Sequence, residues 1–177
     1  HVLSRRQRQM CIRDRSSFGK LEVKNYYDVK ESTVKKSDII IFSPGPGKPL
    51  DYPISLEIYE KFKTKKKIIG ICLGFQLIAN GEGGIISKQE KIFHGYQTYI
   101  RTNNKSLRFP NNHMYQVGRY HSLKLKEPFD SSSMHITMRC EETNVAMCLE
   151  SHTNDICGLQ FHPVSYTHLR AHETEEN

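Results

Sequence analysis

No apolar stretch in this chain of 177 residues approaches the roughly 20 residues that a membrane-crossing helix needs; runs such as Ile68 to Leu73 fall far short. Low-complexity sequence is lacking too, with no run longer than a triplet such as Lys65-Lys66-Lys67, which excludes a disordered tail protein and the fibrous classes. The five cysteines (Cys11, Cys72, Cys140, Cys148, Cys157) contain no C-x-x-C pair and their number is odd. With no secretory apolar region at the start, they read as reduced thiols of a cytoplasmic protein. The nine histidines are scattered, and His113, His121 and His135 lack the tight spacings of zinc motifs, so neither a metal site nor a cofactor is expected. The lysines have no interleaved aromatics, which argues for a solvated basic face rather than a nucleic-acid stripe.

What is present is enough for one globular domain, since 37% of the residues are hydrophobic. The net charge is +7, but residues 1–17 carry five Arg and one Asp and residues 164–177 carry one Arg and three Glu, leaving +5 over 18–163. Those two ends show no sustained period and resemble translated sequencing-adaptor read-through, so the expected domain is 18–163, flanked by non-native segments 1–17 and 164–177.

Within 18–163 the first half alternates strands and helices. Leu21 to Val29 is predicted to be a strand, and Asp38 to Phe42 is an apolar run of the type buried in a parallel sheet. The chain breaks at Ser43-Pro44-Gly45-Pro46-Gly47. Asp51 is expected to cap a helix entered near Pro53, with Ile54, Ile58 and Phe62 on its apolar face. Ile68 to Ile71 forms the next strand and leads into Cys72, after which Leu73 to Asn80 reads as a helix stopped by Gly81. This order predicts an α/β fold with a parallel sheet covered on both faces. Short alternating segments follow at 98–102, 114–117, 122–126, 134–140 and 145–149, with a hairpin at 141–144. A last apolar strand, Ile156 to Phe161, ends at His162-Pro163.

Gly70-Ile71-Cys72-Leu73-Gly74 places a nucleophilic side chain between two glycines at a strand-to-helix turn, the arrangement of a nucleophile elbow. A helix N-terminus favours the thiolate, so a lowered Cys72 pKa is expected. The Leu73 N–H would face an oxyanion formed on a carbonyl attacked by Cys72, and the glycine-rich 43–47 loop could supply a second donor. His162, at the end of the last strand, is the best placed of the histidines to act as general base. Taken alone, a cysteine on an apolar strand is more often a small buried hydrophobe.

Taken in order, the segments Ser43-Pro-Gly-Pro-Gly47, Gly70-Ile-Cys-Leu-Gly-Phe-Gln76, His94-Gly95, Arg119-Tyr-His-Ser-Leu123 and Gly158-Leu-Gln-Phe-His-Pro163 resemble a class I glutamine amidotransferase. Within that family they are most similar to the glutaminase subunit of anthranilate synthase and of 4-amino-4-deoxychorismate synthase. The resemblance implies an open, mostly parallel, flavodoxin-like sheet flanked by helices and, here, truncated at both ends. It implies that Cys72 attacks the side-chain amide of L-glutamine, with His162 as base and then acid. Gly45, Pro46, Gly47 and Leu73 would contact glutamine and oxyanion through their backbone, while Gln76 and the backbone at Ser122 and Leu123 would hold the substrate. The partner implied is a chorismate-binding synthase subunit that receives the ammonia, with no nucleic acid and no membrane.

Three departures from the family pattern stand out. Val164 occupies the position of the family's triad Glu, and an apolar side chain cannot orient the imidazole of His162; the natural gene is expected to carry Glu there, and the chain as written to be impaired. The strand and helix that open the family domain are replaced by the Arg-rich stretch. Phe75 stands where His is common, and the resulting CLGFQ is also similar to gamma-glutamyl hydrolases. The competing functions are therefore a cysteine hydrolase of that type and an inactive module that binds a partner subunit.

Overall fold

A computed structural model of the chain describes residues 20–90, 95–153 and 155–163. The two end segments expected to be foreign, with Cys11 and Val164, and also His94, lie outside the described residues.

Three α-helices and nine strands are described: α1 Glu31–Lys36, β1 Ile39–Phe42, α2 Pro53–Phe62, β2 Lys67–Ile71, α3 Leu73–Gly81, β3 Ile86–Lys88, β4 Tyr96–Thr102, β5 Met114–Arg119, β6 Leu123–Leu125, β7 Met134–Cys140, β8 Ala146–Ser151 and β9 Ile156–Leu159. Seven strands form one mixed sheet in the order β1-β2-β9-β8-β7-β4-β5, and β3 pairs with β6 separately. β1, β2 and β9 run parallel, with Phe42 opposite Gly70 and Gly70 opposite Gly158. From β9 onward each neighbour is antiparallel, so the alternating second half extends the parallel unit instead of forming a domain of its own. The sheet curls, and Gly118 in its far strand β5 bridges His162, just beyond β9.

Alternation along β1, β2 and β9 puts Ile40, Phe42, Ile68 and Ile156 on one face, where they pack with Tyr59 of α2 and Leu73, Phe75 and Ile78 of α3. On the other face of β1, Ile39 stays 48% exposed. A second cluster, including Ile100, Val117, Met138, Met147 and Phe161, fills the antiparallel part. There Glu150 is fully buried and accepts from Ser106 Oγ (2.8 Å), Leu107 N–H (2.9 Å) and Thr137 Oγ1 (2.9 Å), tying the loop after β4 onto β8.

Two local expectations are corrected. Leu21 to Val29 is not a strand; the stretch is exposed up to half-buried Val29, with a short 3₁₀ turn at Tyr26–Asp28, and Tyr26 packs edge-on against Tyr52 at 4.8 Å. No neighbouring strand pairs with it among the described residues, and an isolated strand has no ladder to stabilise it. Asp51 does not cap α2, whose N-cap is Tyr52 without a side-chain bond. Asp51 instead accepts the Lys48 N–H at 2.9 Å within the preceding turn. The buried line of α2 is Ser55, Tyr59 and Phe62, rotated from the expected Ile54, Ile58 and Phe62 because Tyr59 fits over Gly81 of α3, where a Cβ would meet its ring at 2.5 Å.

Candidate active site

Cys72 forms the turn between β2 and α3. Its backbone has φ 55° and ψ −99°, a conformation that only glycine adopts without strain. What enforces it is the fit of α3 on the sheet. A Cβ on Gly74 would lie 2.2 Å from the Phe42 carbonyl oxygen, and one on Gly70 would lie 2.4 Å from the backbone of Gly74. The two glycines bring the helix N-terminus down onto β1 and β2, leaving the residue between them to absorb the turn. The Cys72 N–H donates to Leu159 O at 2.7 Å, which ties the elbow to β9.

The 43–47 loop, leaving the neighbouring strand β1, lies over this elbow. A Cβ on Gly45 would meet Leu73 Cδ2 at 2.7 Å. The Tyr52 hydroxyl donates to the Pro46 carbonyl at 2.7 Å, so the N–H of Gly47 on the same planar trans peptide points the opposite way. Gly47 itself sits at φ +78°. Gln76, one turn into α3, is buried and donates from Nε2 to Oε1 of the fully buried Gln160 at 3.3 Å. Gln160 Nε2 has no partner among the described residues.

His162 follows β9, the parallel neighbour of β2, so imidazole and thiol leave adjacent strand ends. Its N–H donates to Gly118 O at 3.3 Å, and its ring lies 5.3 Å from that of Tyr120. Burial pulls the imidazole pKa down to about 4. Burial pushes the Cys72 thiol up to about 11, outweighing the Leu73 N–H that lies on the sulfur and favours the thiolate. This corrects the expected depressed thiol: the helix N-terminus acts as anticipated, but the sulfur is enclosed. At neutral pH the pair is thus thiol and neutral imidazole, with no hydrogen bond joining them among the described residues.

The 119–123 segment is the third wall. Arg119, fully buried, donates from Nε to His121 Nε2 at 3.2 Å and from Nη2 to Gln89 Oε1 at 2.8 Å. His121 Nδ1 then carries the ring proton and meets Leu123 O at 2.7 Å. Burial lowers its pKa to about 4, outweighing the Leu123 carbonyl that favours the charged ring, and the charges of Arg119 and His162 add to the lowering. Ser122 is exposed and Leu123 half-buried. The structure adds Tyr52, Gln89 and Tyr120 to the residues expected from sequence; they lie outside the glycine-framed motifs or, like Tyr120, are silent within one. Neither of two surface hollows, one of 230 Å³ by Gly84 and Phe129 and one of 470 Å³ by His135 and His152, includes a residue of this site.

The chain that places an elbow cysteine, a glycine-rich loop and a strand-end histidine in this way is matched over residues 8–177 by a family model, glutamine amidotransferase class-I. The chain belongs to the class I glutamine amidotransferases. This amidotransferase is 36% identical to anthranilate synthase component 2 of Lactococcus lactis subsp. lactis (strain IL1403) over 146 residues, 81% of the chain and 73% of the relative. It is 39% identical to anthranilate synthase component 2 of Pyropia yezoensis over 126 residues, 71% of the chain and 67% of the relative. Its fold is shared with a glutamine amidotransferase from Thermotoga maritima, at a TM-score of 0.61 and 17% identity, covering 96% of this chain and 78% of that one. A glutamine amido transferase from Methylobacillus flagellatus superposes with a TM-score of 0.60 at 16% identity, covering 85% and 57%. No described helix is long and apolar enough to cross a membrane.

Proposed function

We propose that residues 18–163 form a glutaminase that hydrolyses L-glutamine through a Cys72 thioester and hands the ammonia to a chorismate-using synthase subunit, in the cytoplasm. The observation that carries this reading is the strained Cys72 between Gly70 and Gly74, with the Leu73 N–H on its sulfur. The curated relatives named anthranilate synthase component 2 support the partner.

In the proposed reaction, Sγ of Cys72 attacks the amide carbon while His162 takes the thiol proton. The carbonyl oxygen becomes an oxyanion held by the Leu73 N–H and by the backbone of Gly45 to Gly47, and loss of one such donor typically costs about 3 kcal/mol. His162 returns the proton to the departing nitrogen, releasing ammonia. Water, deprotonated by His162, then adds to the thioester carbonyl, the C–S bond breaks to release glutamate, and His162 returns the proton to Sγ of Cys72. Gln76 and the backbone of Ser122 and Leu123 hold the substrate. Because the resting pair is neutral on both members, proton transfer has to accompany attack, and the gap between thiol and imidazole has to close first. Docking of the synthase subunit is the proposed trigger.

A second reading, a module that binds the partner without turnover, is favoured by Val164 at the family's triad Glu position. The two readings are separated by measuring ammonia release from glutamine with and without a chorismate-binding subunit. Partner-stimulated release that vanishes in Cys72→Ser supports the glutaminase. Val164→Glu is expected to raise the rate by roughly tenfold or more. Complex formation without ammonia release from either form would favour binding alone.

A further inference from the structure

Gln89 lies immediately after β3 and belongs to none of the segments that define the family resemblance. Its backbone N–H donates to Ser122 O at 2.9 Å, one step past the Lys88 and Leu123 pair of the β3–β6 ladder. Its side chain turns back onto the same segment. Nε2 lies 3.1 Å from His121 O and 3.2 Å from Leu123 O, and 2.7 Å from His121 Nδ1, whose own proton goes to Leu123 O. Oε1 accepts from Arg119 Nη2 at 2.8 Å. One residue thus grips three successive positions, 121, 122 and 123, with Arg119 locking the orientation of its amide. A reversed amide would set a donor against Arg119 and an oxygen against two carbonyls, three mismatches against the one close approach of Nε2 to the protonated His121 Nδ1 that the present orientation carries.

We propose that Gln89 is the positioning residue of the glutamine site: its side chain holds the His121 carbonyl, whose peptide plane carries the Ser122 N–H, its backbone N–H holds the Ser122 carbonyl, whose plane carries the Leu123 N–H, and its second side-chain bond, to the Leu123 carbonyl, pins the far end of the segment. The inference rests on the reading of that backbone as substrate-holding. A peptide plane whose carbonyl is held has its N–H aimed as well, so the donors available to substrate follow from where Gln89 holds the acceptors. Gln89 acts through the segment and touches no reacting atom.

Gln89→Leu removes both ends of the grip at similar size. Gln89→Glu keeps the acceptor for Arg119 and gains charge attraction to it, but loses the two donors to the carbonyls. Two measurements on the full chain test the proposal: amide hydrogen exchange of the 119–125 segment, and calorimetric binding of L-glutamine to the same variants in a Cys72→Ser background, where substrate is not consumed. Both variants are expected to speed exchange of the segment by roughly tenfold or more and to weaken glutamine binding by roughly tenfold. Rescue of both readouts by Gln89→Glu would overturn the proposal, because the residue would then serve only to satisfy Arg119. Unchanged exchange in both variants would overturn it as well, whatever happens to glutamine. Faster exchange together with no glutamine binding by the Cys72→Ser parent would instead sink the assignment of the segment to substrate, and the positioning role with it.

Discussion

A methyl group at residue 74 has nowhere to go. Its carbon would sit 2.2 Å from the Phe42 carbonyl, a backbone atom that moves only if β1 moves. Gly74→Ala is therefore expected to destabilise the fold by about 3 kcal/mol, read as a lower urea midpoint. Gly83→Ala is the contrast: nothing lies within 4 Å of the added carbon, and its φ of +80° leaves only the left-handed strain, about 1–2 kcal/mol. The spacing of Gly70, Cys72 and Gly74 is readable from the chain, as is the elbow. The reason for the second glycine is not, because it is contact with a strand some thirty residues earlier and not the turn itself. The Cys72 thiol escapes prediction for the same kind of reason: a helix N-terminus is visible in sequence, whereas the enclosure that pushes the thiol to about 11 is made by the whole fold. Gln89 carries no signal at all, since its role depends on the β3–β6 register.

At the scale of elements, the ends of β5 and β9 bring His121 and His162 together in burial. Both bind protons more weakly folded, at about 4, than the ordinary 6.5. Between these values the unfolded chain takes up protons that the folded chain refuses, so stability is complete above pH 6.5 and falls progressively toward pH 4. Each histidine accounts for up to about 3 kcal/mol over that window. Urea unfolding at pH 7.5, 6, 5 and 4.5 should show the decline, and His121→Gln should roughly halve it, leaving the share of His162; a flat profile in the parent would refute the burial argument. Elements with a clear period, α3 and the strands around Ile40, Ile69 and Met138, are legible in the sequence. β3, three residues long, and α1, with Ser32, Thr33 and Val34 at its centre, are not, because short segments of weak helix formers have no periodicity to detect. The Leu21 to Val29 stretch shows the converse failure: it has strand-like composition but no partner.

Over the whole molecule, protection should follow the sheet. β8 is buried at every position and flanked on both sides, and β9, buried except at half-buried Leu159, is flanked likewise, so their amides are expected to exchange slowest, with residues 20–36 the fastest of the described chain. Mass-resolved exchange checks the ranking, and faster exchange in β8 than in α1 would contradict it. The class of fold is foreseeable from alternating strands and helices, but not the strand order, since nothing local states that β9 lies between β2 and β8. That placement bears on how the protein is made. β1 with β2, and β8 with β7, β4 and β5, are two half-sheets whose facing edges are joined, among the described residues, by the strand at 156–159. Synthesis runs from the N-terminus, so the ribosome produces this keystone after every other described strand. Until then both halves present open edges, and a nascent chain stalled before residue 156 carries neither a continuous sheet nor His162 beside the elbow. The same short stretch, residues 156–162, completes both the sheet and the candidate chemistry.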